Sequence, residues 1–418
     1  MPDSDPEFYP RLAAARLEEA LADSPVVLIH GPRQCGKTTL AQAVGARLGH
    51  AYFSFDDAVL RAAARADPAG FVDDLPERAT LDEVQRVPAL FAALKTAVDR
   101  RRTPGRFMLT GSANVLLLPQ LADSLAGRMA ILRLHPLAQC ELARRRTSGF
   151  LDALFAGGFK LQRRERAAGE LAERIAAGGY PAALARASGR RRAAWYRDYL
   201  EALVQRDVRD LARVSSLDVL PRLLAAGAAQ TAQLVNVSGL AAPFQLSRPT
   251  IADYVTLLER VFLLERLPPW HSNRLSRLVK TPKLHLGDTG LACALLGIDA
   301  GALTANRTEL GHLLETFVFQ ELRRLASAHA EAHGFFHFRD KDGAEVDIVI
   351  ERGVQQLVGV EVKAAATVTT ADFRGLRKLQ DAAGKRFTAG VVLYDGEVSG
   401  VGFGDGLYAV SIRTLWEQ

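Results

Sequence analysis

The 418-residue sequence is poor in cysteine and has no long hydrophobic run. Its three cysteines, Cys35, Cys140 and Cys293, stand far apart and without metal-ligand spacing, which argues against a disulfide framework or a cysteine zinc site and fits a reducing cytoplasm. No stretch approaches the roughly eighteen consecutive apolar residues that a bilayer span needs. The N-terminus carries Asp3, Asp5 and Glu7 where a signal peptide would have basic residues and then an apolar run. The expectation is a soluble, unexported cytoplasmic protein with no membrane partner. Composition is ordinary for a globular chain, 48% apolar and 24% charged, and the length predicts more than one domain. A net charge of +6, mostly from arginine, fits either a polyanionic partner or a generally basic proteome.

Val26-Val27-Leu28-Ile29 is a continuous apolar run of the kind found in buried parallel strands. It leads at once into Gly31-Pro32-Arg33-Gln34-Cys35-Gly36-Lys37-Thr38, after which Thr38 to Leu48 reads as a helix ending at Gly49. Strand, glycine-bounded loop and helix form the context that a phosphate-binding loop requires. Gly31 and Gly36 let backbone N–H groups close around phosphates, Lys37 reaches the β and γ phosphates, and the Thr38 hydroxyl can ligate magnesium. The positive end of the helix dipole adds to this. The candidate nucleotide contacts are therefore Gly31, Pro32, Arg33, Gln34, Cys35, Gly36, Lys37, Thr38 and Thr39, with ATP and Mg2+ as the implied ligands.

A second acidic element follows in Ala79-Thr80-Leu81-Asp82-Glu83, after a short predicted strand. Asp82 is the expected metal partner and Glu83 the group that orients or deprotonates attacking water. Two further strands are predicted, Phe107 to Leu109 and Ala130 to Leu134. The first ends in Thr110-Gly111-Ser112-Ala113-Asn114, where Thr110 or Ser112 can sense a γ phosphate, although turn-forming residues after a strand are common. Between these strands stands Leu125-Ala126-Gly127-Arg128. Here the residues resemble the AAA superfamily of ATPases, in which an arginine just before the fifth core strand acts as an arginine finger. The resemblance assigns that role to Arg128, usually acting on a neighbouring subunit, and so implies a homo-oligomer.

From Glu141 to Leu211 the sequence is helical in period and rich in arginine, with Arg144-Arg145-Arg146 and Arg190-Arg191-Arg192 read as solvated helix faces in preference to phosphate contacts. Val214 to Trp270 predicts a helix over 231–240, a turn, and a second helix over 248–260 capped by Ser247. A strand over 261–267 follows, closed by Pro268-Pro269. That is the layout of a winged helix, in which the second helix enters the DNA major groove or a protein surface instead; Arg248 and Thr250 are the DNA-binding candidates.

The C-terminal part contains Glu345-Val346-Asp347-Ile348-Val349-Ile350, a turn, and Leu357 to Val360 leading into Glu361-Val362-Lys363. This resembles the PD-(D/E)xK nuclease superfamily. Residues two apart in a strand share a face, so Glu361 and Lys363 would project together beside Asp347. Two carboxylates would hold a divalent cation while the lysine positions water for phosphodiester cleavage. Glu315, on an apolar helix, matches the helix carboxylate such nucleases often add, and Gln380 is a further candidate on a helix over 371–383. A simple alternating strand with surface charges would give the same pattern.

The order of these segments, together with Gly178-Gly179-Tyr180-Pro181 and Gly287-Asp288-Thr289-Gly290, resembles a prokaryotic ATPase group within the AAA superfamily. The resemblance implies an α/β fold: a P-loop ATPase core (1–140), a helical region (141–213), a winged helix (214–270) and a mixed α/β nuclease-like domain (271–418). Three functions remain open: an ATPase that binds or remodels DNA, a nucleotide-controlled switch for a protein partner, and a metal-dependent nuclease under ATP control.

Overall fold

The computed structural model describes residues 9–112, 115, 125–205, 218–235, 237–244, 246–273 and 281–418. They fall in two compact units, Met1–Leu137 with Arg260–Phe262, and Ala138–Glu259 with Leu263–Gln418. Among the described residues no helix is long and apolar enough to cross a membrane.

The first unit is built on a five-stranded parallel sheet in the order β2-β3-β4-β1-β5. Its strands are β1 (Val26–His30), β2 (Ala51–Ser54), β3 (Ala79–Asp82), β4 (Phe107–Gly111) and β5 (Met129–Arg133). The helices are α1 (Ala13–Asp23), α2 (Lys37–Leu48), α3 (Ala58–Ala66), α4 (Pro68–Asp73) and α5 (Leu90–Arg100). Because strand side chains alternate, the apolar run of β1 feeds two cores. Val26 and Leu28 pack with Phe107, Leu109 and Phe91, while Val27 and Ile29 pack with Leu17, Leu40 and Val44. Burial on both faces leaves no polar position in the middle of β1, which is why its sequence is a continuous apolar run. All parallel strands end on the same edge, so the loops after β1, β3 and β4 converge there.

In the second unit, β7 (Gln233–Leu234), β8 (Leu264–Leu267) and β9 (Lys283–Leu286) form an antiparallel sheet in the order β7-β9-β8. The helix predicted over 231–240 is replaced by β7 and a short helix, Val237–Ala241. The Ala232 N–H instead donates to Leu284 O at 2.7 Å and the Val235 N–H to Pro282 O at 2.9 Å, and Ala232 itself is left-handed at φ 62°. Tertiary pairing with β9 thus takes the backbone groups a helix would have used. The predicted helix over 248–260 is present, with Ser247 Oγ accepting the Thr250 N–H at 3.3 Å. The strand that follows begins only at Leu264, because Phe262 is left-handed at φ 63°.

A six-stranded mixed sheet, in the order β10-β11-β12-β13-β16-β15, completes this unit. It comprises β10 (His333–Arg339), β11 (Glu345–Arg352), β12 (Gln356–Lys363), β13 (Phe387–Tyr394), β15 (Val401–Gly402) and β16 (Leu407–Ser411). A two-stranded ribbon pairs β6 (Gln162–Arg163) with β14 (Val398–Ser399). The helix Arg374–Ala383 seals one face through Leu376 and Leu379.

Two glycine-containing segments meet at Asp288. Its carboxylate accepts the Gly179 N–H at 2.8 Å, the Tyr196 hydroxyl at 2.9 Å and the Gly290 N–H at 2.9 Å, and faces the Arg324 guanidinium at 3.3 Å. Gly178 has φ +68°, and a Cβ there would lie 2.1 Å from an Asp288 oxygen. Both segments thus build a buried polar joint, which is what their unusual composition encodes.

Candidate functional site

The loop 31–36 runs from the end of β1 to the first turn of α2. Gly36 has φ +99°, a conformation that favours glycine, and a Cβ on Gly31 would stand 2.2 Å from Leu134 O. Lys37 is buried, and its ammonium donates to the carbonyls of Gly31 at 3.1 Å and Pro32 at 2.8 Å, so the charge is held over the loop. Arg11 braces the loop from behind, donating to Cys35 O at 2.7 Å and His135 O at 2.6 Å. Cys35 is buried against Leu134 O, whereas Gln34 and Thr39 are exposed and Pro32 and Arg33 lie in the same turn. His30, at the end of β1, is pushed down to about 4 by burial and by Arg133 and Lys37, so it stays neutral beside the lysine.

Asp82 is the hub at the end of β3. Its Oδ1 accepts the Thr38 hydroxyl at 3.0 Å and also the Thr110 hydroxyl, while Oδ2 accepts the Tyr52 hydroxyl at 2.8 Å. Burial and the Asp82 carboxylate push the Tyr52 phenol up to about 12, so it remains a donor. Parallel pairing of β2 with β3 sets Ser54 beside Asp82, which brings Tyr52 within reach from the neighbouring strand. Glu83 follows in a left-handed conformation, φ 57°, that turns it out of the strand, and its N–H donates to Thr110 Oγ1 at 3.2 Å. The Gln85 amide binds the Glu83 carboxylate and donates to Ser112 Oγ at 3.1 Å. The structure therefore gathers Lys37, Thr38, Asp82, Glu83, Thr110 and Ser112 at one sheet edge. Sequence reasoning missed Tyr52, Gln85 and Arg11; the spacing of Gln85 two residues after Glu83 was the one available signal.

Residues 23–143 match a family model described as an AAA domain. Residues 168–302 and 310–415 match two domains of unknown function, DUF8612 and DUF4143. The chain is 31% identical over 357 residues to the uncharacterized protein Rv2008c of Mycobacterium tuberculosis, covering 85% of this chain and 74% of the relative. The uncharacterized protein Mb2031c of Mycobacterium bovis matches with the same figures. The chain belongs to their family, an AAA-superfamily P-loop ATPase family. Among solved structures, the Walker-type ATPase PABY2304 of Pyrococcus abyssi matches at 16% identity and TM-score 0.41, over 68% of this chain and 94% of that one. The Holliday junction branch migration motor RuvB of Thermotoga maritima matches at 21% identity and TM-score 0.26, over 62% and 86%.

Elsewhere in this AAA-superfamily chain, Arg128 is held by Asp99 of α5, with Nε 2.6 Å from Oδ1 and Nη2 3.0 Å from Oδ2. Since Val26 pairs with Met129 and His30 with Arg133, Arg128 stands at the sheet edge opposite the phosphate loop. That is about 16 Å along the strand direction, five residues at roughly 3.3 Å each. The structure does not bring Arg128 to the loop of its own chain.

In the second unit Arg248 is exposed at the start of its helix, and the Thr250 hydroxyl lies 2.8 Å from Ser247 Oγ. Glu315, Asp347, Glu361 and Lys363 lie in one cluster, joined by one residue the sequence pattern did not point to. Lys283 of β9 places its ammonium 2.7 Å from Glu315 Oε1 and 3.1 Å from Asp347 Oδ1. Against burial, Lys283 and the Val362 N–H hold Asp347 low, and the two acids hold Lys283 high. Burial and the nearby Asp347 push Glu361 up to about 8. Gln380 is not part of the cluster; its amide donates to Asp405 O at 3.0 Å.

Proposed function

We propose that the protein binds and hydrolyses ATP and couples the cycle to binding or remodelling DNA. The observation that carries the ATPase part is the convergence of Lys37, Thr38, Asp82 and Glu83. The Thr38 hydroxyl and the Asp82 carboxylate, 3.0 Å apart, are the groups that would hold a Mg2+ ion. Bound Mg2+ would neutralise charge on the β and γ phosphates. Lys37 binds those phosphates, and Thr110 and Tyr52 orient Asp82. Glu83 is placed to take a proton from water, with Gln85 and Ser112 setting its direction.

The DNA part rests on the basic balance, the exposed helix start at Arg248 and the β7-β9-β8 sheet beside the helix Arg248–Arg260, an arrangement that fits a winged helix. Arg128, unable to reach its own loop, fits a finger acting on a neighbouring copy.

The deciding experiment is steady-state ATP hydrolysis with and without duplex, single-stranded and branched DNA. Lys37→Ala is expected to lose nucleotide binding. Glu83→Gln is expected to bind ATP but turn it over about a hundredfold more slowly. DNA is expected to stimulate the wild type and to bind with an affinity that falls as salt rises. Equal turnover in all three proteins would overturn the site; turnover indifferent to every DNA, with no salt-sensitive binding, would overturn the DNA coupling and favour a protein partner.

A further inference from the structure

The carboxylates that a nuclease-type cation site needs are drawn together in the second unit, but around a side chain. Lys283 Nζ sits between Glu315 Oε1 and Asp347 Oδ1, at 2.7 and 3.1 Å. The other Asp347 oxygen accepts the Val362 N–H at 2.9 Å, and Glu361 Oε1 accepts Lys363 Nζ at 2.7 Å. Glu361 Oε2 is left buried without a hydrogen-bond partner. Mg2+ and its relatives take near-octahedral oxygens at about 2.1 Å, and these carboxylates face donors instead. An ammonium within hydrogen-bonding distance of two of the candidate ligands would repel such an ion.

The lysine is built in. It starts β9, which belongs to the three-stranded sheet, whereas Asp347 and Glu361 belong to the six-stranded sheet. β9 is pinned to the helix Arg307–Ala326 by His285 Nδ1 against Thr316 Oγ1 at 3.0 Å and by the Gln320 amide to Leu286 O at 2.8 Å. These bonds fix the backbone from which the buried Lys283 side chain reaches the two acids.

We propose that Lys283 is the resident cation of this cluster, so that the donor set does not accept a divalent metal and does not cleave phosphodiesters. The lysine does for Glu315 and Asp347 what a metal would: it compensates charge that is costly to bury alone. Removing it leaves carboxylates that a divalent ion is then free to bridge. None of this depends on the ATPase reading, and the test below does not use ATP turnover.

The test is Mn2+ titration of the nucleotide-free full chain, followed by electron paramagnetic resonance of the unbound ion. Wild type and Asp347→Asn are expected to take up Mn2+ identically, any ion at the phosphate loop being common to both. Lys283→Ala is expected to gain a further site, at least about tenfold tighter than anything wild type shows in this unit, and to lose it when Asp347→Asn is added. Wild-type uptake that Asp347→Asn abolishes would overturn the proposal, as would a folded Lys283→Ala with no gain. Mn2+-dependent nicking of plasmid DNA by wild type that Lys363→Ala removes would do the same. Should Lys283→Ala not fold, the comparison of wild type with Asp347→Asn decides alone.

Discussion

Asp82 shows how much one carboxylate can be made to do when its neighbours are donors. Thr38, Thr110 and Tyr52 all point hydroxyls at it. The Tyr52 bond is the one contributed by an edge strand, and losing it should cost about 1 kcal/mol of positioning, or roughly fivefold. Tyr52→Phe is therefore expected to keep ATP binding while turnover at limiting Mg2+ falls about fivefold and recovers as Mg2+ is raised. A Mg2+ titration of kcat and KM checks this, since a merely structural role for Tyr52 would leave the Mg2+ dependence unchanged. Glu361 is the second residue with a readable consequence. Its folded-state value, about 8, lies above the ordinary carboxyl value of 4.5. The folded state thus holds a proton that the unfolded state has released, and the stabilisation, complete below pH 4.5, is lost as pH rises toward 8. Glu361→Gln, which cannot ionise, should gain on the order of 1–3 kcal/mol relative to wild type between pH 5 and pH 8. Urea unfolding followed in the second unit at the two pH values measures it.

At the scale of elements, the structure departs from sequence expectation where a long-range partner claims backbone groups. Residues 231–240 have helical composition, yet Ala232 and Val235 bond to the strand carrying Lys283. No local signal announces that, because the partner lies some fifty residues away in the chain. The expected strands around Asp347 and Glu361, by contrast, are present, because alternating and β-branched residues specify them locally. The joint at Asp288 yields a prediction of its own. Gly178→Ala would place a methyl group 2.1 Å from an Asp288 oxygen at a positive φ. It is expected to destabilise the second unit by about 2–4 kcal/mol, seen as a lower urea midpoint. Gly49→Ala, also at positive φ but with open space around it, should cost the first unit less, about 1 kcal/mol.

For the whole molecule, the arginine finger is tested by whether copies of the chain complete one another's sites. Arg128 lies on the sheet edge away from its own phosphate loop, and an exposed aspartate holds it only weakly. If it acts on a neighbour, Arg128→Ala and Glu83→Gln should each be nearly inactive alone. Mixing them should restore turnover, because intact Glu83 sites then receive intact arginines. A mixture no more active than its components would remove the finger role.

The sequence by itself determined the chemistry of the nucleotide site, since a phosphate loop is contiguous and its glycines, lysine and threonine act through backbone and near-neighbour geometry. It also determined the first acidic pair and the two strands bearing Asp347, Glu361 and Lys363. Only the tertiary structure decided which side chains reach these groups from elsewhere: Tyr52 from the next strand, Arg11 from before the sheet, and Lys283 from another sheet altogether. The reason is physical. A buried charge is compensated by whatever the packing brings within about 3 Å, and that partner leaves no trace in the spacing of the residues it serves.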